Sequence, residues 1–184
     1  MINTLYEIGK MLNKNKVRWG IGASLLLNNY GLVDKPKDID ILISLDDIDN
    51  TDKLLSNMGD KKIYENVNLY STQYFYEYLI NGIDIDVMAG LCIKHDRGTY
   101  EYIFDKLSIV DHFCINKIEI PLMSLEDWYV IYNLIPNREE KVKIIENYLM
   151  KNGIKKPELL KRALLGNLPD NVRNRVEELL LKNS

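Results

Sequence analysis

The sequence predicts an α/β (α+β) protein with a helical C-terminal part, on three observations. Short β-rich runs alternate with helical stretches over roughly the first 90 residues. Two of those runs, DIDILI at 38–43 and GIDIDVM at 82–88, carry the period-two alternation of strands. From Ser124 to the end, the apolar spacing is helical almost without interruption. A chain of 184 residues with 46% hydrophobic content can bury a core as a single domain, or as a compact domain with a helical appendage. The expected division is a core over 1–122 and a helical subdomain over 123–184.

The elements follow in order. Leu5, Ile8 and Leu12 stand at helical spacing, which predicts an amphipathic helix over about 2–14. VRWGIG reads as a short strand running into glycine, and the Leu-rich segment Ser24–Tyr30 as a buried helix ended by Gly31. DIDILI is the next strand. SLDDIDNTDKLLSNMG opens with cap-type residues and continues as an exposed helix. KIYENVNLY (62–70), QYFYEYLI (73–80) and GIDIDVM extend the same sheet. The pattern weakens after Gly90 until NKIEIPLM (116–123), an expected edge strand because Pro121 removes a ladder donor. In SLEDWYVIYNLI, Ser124 is followed three residues later by Asp127, the signature of an N-cap before an apolar run. NREEKVKIIENYLMKNG, KPELLKRALLG and PDNVRNRVEELLLKN complete the helical part.

Composition excludes several classes. The opening MINTLYEIGKMLNKNK lacks the apolar core of a signal peptide, and no apolar stretch approaches the roughly 18 residues of a membrane span, so a cytoplasmic protein without a membrane partner is expected. Cys92 and Cys114 show no metal-ligand spacing, fit a reducing compartment, and read as small core residues. The net charge of −3 is unevenly spread: from Arg138 onward 11 Lys and Arg face 7 Asp and Glu, whereas the remainder is strongly acidic. That balance argues against extensive wrapping by nucleic acid.

Two pairs of like charges interrupt apolar strands. Asp38 and Asp40 share one face of their strand while Ile39 and Ile41 take the other, and Asp84 and Asp86 repeat the arrangement. One reading is a solvated face. The other is a site for a divalent cation, since hard cations such as Mg²⁺ select carboxylate oxygens together with substrate phosphates. The repetition favours the second, because neighbouring strands would bring the unpaired acids together. Gly22-Ala23-Ser24 lies between a strand and a helix start, where backbone N–H groups suit a phosphate and the Ser24 hydroxyl can add a donor.

A small-residue turn, a helix, an Asp-Ile-Asp strand and a further acid on a later strand resemble the DNA polymerase beta-like nucleotidyltransferase superfamily. The likeness is nearest to its small bacterial members, the aminoglycoside and lincosamide nucleotidyltransferases and the abortive-infection nucleotidyltransferase toxins. It covers about residues 17–90. The resemblance implies a mixed sheet flanked by helices and a Mg²⁺- or Mn²⁺-dependent transfer of NMP from NTP to an acceptor hydroxyl on a small molecule such as an antibiotic, on tRNA or on protein. It also admits an antitoxin partner or a homo-oligomer. Carried over by motif, Asp38, Asp40 and Asp86 are the catalytic and metal-binding residues, with Asp84 the less favoured third carboxylate. Gly22, Ala23 and Ser24 bind nucleotide, and Ala23 departs from the family's second glycine, which removes ready access to positive φ. Arg138 and Lys141, one turn apart, either reach the β- and γ-phosphates or form a solvated face. Trp19, Tyr70, Tyr74 and Trp128 are read as packing residues with a stacking role as the alternative, and His95 and His112 as structural. A non-catalytic nucleotide- or partner-binding domain of the same fold is the rival reading.

Overall fold

The computed structural model describes residues 1–62 and 71–182; most of KIYENVNLY, including Tyr70, lies outside them. Helix α1 (Ile2–Lys14) buries Leu5, Ile8 and Leu12 completely, as their spacing requires. Strand β1 (Trp19–Ile21) leads into α2 (Ala23–Asn29), whose leucines are buried and whose exit passes through Gly31 at φ 68°. Strand β2 (Ile39–Ile43) follows, then a 3₁₀ turn (Leu45–Asp47) and α3 (Ile48–Ser56). The strands β3 (Asp60–Lys61), β4 (Tyr74–Ile80) and β5 (Ile83–Ala89) come next.

Residues 92–101 fold into a separate hairpin of β6 (Cys92–His95) and β7 (Gly98–Glu101), and β8 (Ile109–Ile115) and β9 (Ile118–Met123) return to the main sheet. That sheet has seven strands in the order β3-β4-β5-β2-β1-β9-β8. It is mixed: β2 pairs parallel with β5 and β1 parallel with β9, while β1–β2, β3–β4, β4–β5 and β8–β9 are antiparallel. Helices α4 (Leu125–Leu134), α5 (Glu139–Asn152), α6 (Pro157–Leu164) and α7 (Asp170–Lys182) complete the chain. Helix α4 is the centre of that group; it contacts the other three and also α2 and β6. Its start is as expected, with the Ser124 hydroxyl accepting from the Asp127 amide at 2.9 Å. Among the described residues no helix is long and apolar enough to cross a membrane.

Two local expectations are corrected. Pro121 is not on an edge: β9 lies between β1 and β8, and β8 is the edge strand. The missing donor is tolerated there because three-residue β1 registers on β9 only at Ile21↔Leu122, and the β8–β9 ladder is irregular nearby, between Ile109 and Asp111. The cysteines are not core residues either. Cys114 is exposed on the edge strand and Cys92 is half-buried; both are free thiols.

Candidate active site

The two acid-bearing strands are neighbours in register. Ile39 and Ile41 of β2 lie opposite Ile85 and Val87 of β5, and all four are completely buried on one face. The other face therefore takes Asp40 opposite Asp86. One strand further, Glu77 of β4 lies opposite Asp86 on that same face, and Leu79 opposite Asp84. Three carboxylates thus stand in a row across β2, β5 and β4.

Their electrostatics follow from this crowding. Burial, then the charges of Asp38 and Asp86, push the Asp40 carboxyl from 3.8 up to about 8, against the opposing pull of Lys141 and Arg138. Asp86 is pushed up to about 6 by burial, then by Glu77, Asp38 and Asp84, with Lys62 opposing. Asp84 differs from both. It is exposed and forms an ion pair with Lys62 Nζ at 2.5 Å.

Asp38, Asp40 and Asp86 line a cavity of about 210 Å³, together with Ala23, Ser24, Arg138 and Lys141. Asp84 and Gly22 are not among its lining residues. The cavity's apolar wall comes from Phe75 and Met88 on the sheet, from Leu91, and from Trp128, Ile131, Tyr132 and Ile135 of α4 and its end. Lys141 donates to the Tyr132 hydroxyl at 3.3 Å, and burial and the neighbouring Arg138 lower its pKa. The acids and the cations, which lie far apart in sequence, therefore face one space.

The turn before α2 is shaped by packing rather than by openness. A Cβ on Gly22 would fall 2.1 Å from Trp128 Cζ2, so the indole occupies the volume that any larger residue would need. Trp128 is itself buried, tilted against Tyr132 with ring centroids 5.1 Å apart. Ala23 adopts φ 45°, a conformation that costs an L-residue with a Cβ roughly 1–2 kcal/mol. The missing glycine thus did not remove positive φ; the chain adopts it with an alanine. The Ser24 hydroxyl donates to Asp38 Oδ1 at 3.0 Å.

Other candidates fall outside the cavity. Trp19 is buried, with its indole N–H on Asn13 Oδ1 at 2.9 Å, and Tyr74 packs edge-on against Tyr76. His95 is tied to the Asn167 carbonyl oxygen at 3.0 Å, and His112 is exposed on β8. Glu77 carried no signal in the sequence, nor did the α4 wall beyond Trp128, which was read as packing with stacking as the alternative. The even apolar pattern of α4 marks burial on all sides but not which side faces a cavity, and Glu77 gains meaning only once β4 is known to pair with β5.

The carboxylate oxygens of Asp38, Asp40 and Asp86 are donors of the kind a hard divalent cation selects, and Asp40 and Asp86 are raised first by burial and then by the neighbouring acids. Among the described residues no group of three or more His, Cys, Asp or Glu side chains is arranged to hold a metal ion. The set therefore suits a cation carried by one or two carboxylates plus phosphate oxygens, the usual arrangement for Mg²⁺.

This mixed sheet, with acids on two central parallel strands and a helical C-terminal part, is the nucleotidyltransferase-like fold. Solved structures place it so. A protein of Thermotoga maritima assigned as a nucleotidyltransferase, TM1012, superposes with a TM-score of 0.61 at 23% identity, covering 82% of this chain and 92% of its own. ANT(2'')-Ia, in complex with adenylyl-2''-tobramycin, gives 0.57 at 12% identity over 96% and 97% of the two chains. The lincosamide antibiotic adenylyltransferase LnuA, bound to lincomycin, gives 0.53 at 16% over 78% and 95%. No protein-family model and no curated protein matches the sequence.

Proposed function

We propose that the protein is a nucleotidyltransferase that moves an NMP group from an NTP to an acceptor hydroxyl. The observation that carries this reading is the juxtaposition of Asp40 and Asp86, in register on adjacent strands, with Arg138 and Lys141 across one cavity. A Mg²⁺ or Mn²⁺ ion bound there would neutralise triphosphate charge and polarise the α-phosphate. Asp38 and Asp40 would supply oxygens to hold the ion, and Asp86 stands beside them as the base. The backbone N–H groups of Ala23 and Ser24 receive phosphate, the Gly22 amide being taken by the Asp40 carbonyl, and Arg138 and Lys141 meet the charge of the departing group. In the transfer, the acceptor oxygen bonds to the α-phosphorus while the bond to the bridging α–β oxygen breaks. Pyrophosphate leaves, and the hydroxyl proton goes to Asp86.

The adduct in ANT(2'')-Ia and the lincomycin in LnuA support a small-molecule acceptor here. The core over 1–122 would hold the acids and the subdomain over 123–184 the cations and the apolar wall, so the site needs both. A binding domain that has given up catalysis has no reason to keep three crowded acids, which argues against that rival.

Incubation with each α-³²P-labelled NTP, Mg²⁺ and a panel of hydroxylated acceptors tests the proposal. Label is expected in an acceptor product, and Asp86→Asn should lower turnover at least ~10²-fold. Asp84→Asn should have far less effect, because that side chain is exposed and paired with Lys62. Loss of transfer in Asp84→Asn with activity retained in Asp86→Asn would reverse the assignment.

A further inference from the structure

Asp38 and Asp40 are held by different means. Asp40 lies within β2, where the ladder to Asp86 fixes its backbone and its own carbonyl accepts from the Gly22 amide at 3.0 Å. Asp38 precedes the strand, at the end of the irregular segment that follows Gly31, so no ladder aims its carboxylate. One side-chain hydrogen bond does so: Ser24 Oγ to Asp38 Oδ1 at 3.0 Å. A serine hydroxyl has a single proton to donate. Its position is set in turn by Gly22, pinned beneath Trp128, and by Ala23 at φ 45°.

We propose that the Ser24 hydroxyl is a positioning residue for the cation site: it orients Asp38 as a ligand, while the phosphate is left to the backbone of the turn. The inference rests on the metal-dependent reading above and differs from it in where one hydroxyl acts. A ligand's hydrogen-bond partner typically contributes ~10–100-fold to metal affinity. Removing Ser24 should therefore weaken the ion itself, even with no nucleotide present. A phosphate donor would show the opposite pattern, with metal affinity unchanged and nucleotide affinity reduced.

The test measures Mn²⁺ dissociation constants for the full chain by titration calorimetry and electron paramagnetic resonance without nucleotide, in the unaltered protein, Ser24→Ala and Ser24→Thr. Nucleotide affinity is then measured for each at Mn²⁺ concentrations that saturate it. The expected result is Mn²⁺ binding weakened ~10-fold or more in Ser24→Ala and restored in Ser24→Thr, with nucleotide affinity at saturating Mn²⁺ within about twofold of the unaltered protein. Thermal melts of the three proteins identify any loss of fold, and Ser24→Thr, which keeps the hydroxyl, serves as the second variant. Equal Mn²⁺ affinity in Ser24→Ala and the unaltered protein overturns this inference while leaving the transferase reading intact. Absence of Mn²⁺ binding by the unaltered protein without nucleotide overturns this inference, and absence of any Mn²⁺-dependent nucleotide binding overturns both.

Discussion

Two regions of the molecule bury carboxylates, and they do so in opposite ways. At the start of α4, Asp127 is 4% exposed and pushed up to about 6 by burial, yet it is surrounded by partners. It accepts from the Tyr102 hydroxyl at 2.8 Å, and Arg162 lies 3.7 Å away while also bonding Asp105 at 3.0 Å and Ser108 at 3.1 Å. At the cavity, Asp40 is pushed to about 8, and its nearest charged neighbours on the sheet are other acids. The first region is complete without help from outside. The second has carboxylates in excess of the cations that face them, the arrangement expected where a ligand brings the balancing charge.

The largest expected effect separates the two by activity. Asp40→Asn should reduce NMP transfer by ~10³-fold or more, since a lost metal-binding carboxylate removes several kcal/mol of transition-state stabilisation. Its metal-free melting temperature should equal or exceed that of the unaltered protein, because an amide has neither a charge to bury beside the other acids nor a proton to take up on folding. A clear drop in that temperature would make Asp40 a structural residue and erase the contrast.

Asp127→Ala should behave in the reverse manner. It removes the buried partner of Arg162 and Tyr102 and is expected to cost about 3 kcal/mol of stability, read from denaturant midpoints. Arg162 keeps Asp105, which limits the loss. A stability change below ~1 kcal/mol would show that the network adds little and that the two regions differ less than their partners suggest.

A smaller effect is a matter of pH. Both aspartates hold a proton in the folded protein that the unfolded chain has released near its ordinary 3.8. Their burden on stability is therefore absent below about pH 4 and grows as pH rises. It is complete near pH 6 for Asp127 and near pH 8 for Asp40. The window from 6 to 8 belongs to Asp40, where metal-free stability should fall by about 1 kcal/mol after allowance for its partial exposure. Melts in EDTA across this range should show the decline in the unaltered protein and flatten it in Asp40→Asn. A decline of equal slope in both would assign it to another group.

The smallest effect concerns the turn. Ala23→Gly relieves the strain of φ 45° but adds backbone entropy to the unfolded chain, so a net gain of only a few tenths of a kcal/mol is expected by chemical denaturation. A destabilisation above ~1 kcal/mol would mean that the alanine methyl contributes packing at the cavity that outweighs its strain.

What the sequence made legible was local. Alternation in DIDILI and GIDIDVM placed Asp40, Asp84 and Asp86 on strand faces, although Asp38 falls just before β2 rather than in it, and the spacing of Leu5, Ile8 and Leu12 fixed α1. Pairing was not legible in the same way, because Asp40 and Asp86 meet through a parallel ladder that no short-range pattern encodes. Residues 92–115 were harder still. His95, Arg97 and Tyr100 belong to a hairpin whose partners include Asn167 and Asp170 near the end of the chain. Gly22 was legible as a site where backbone comes close to something, and the reason was not: the close neighbour is an indole.

That indole has a consequence for how the protein is made. Trp128, Arg138 and Lys141 are synthesised roughly a hundred residues after the turn and the first aspartates they face. A nascent chain that has exposed its β-sheet acids has neither the side chain that wedges Gly22 nor the cations that offset Asp40. Closing so long a loop adds an entropic barrier before any of these contacts is rewarded. The cavity is consequently among the last parts of the molecule expected to assemble during synthesis, and a chain released before residue 128 lacks its helical wall and its cations.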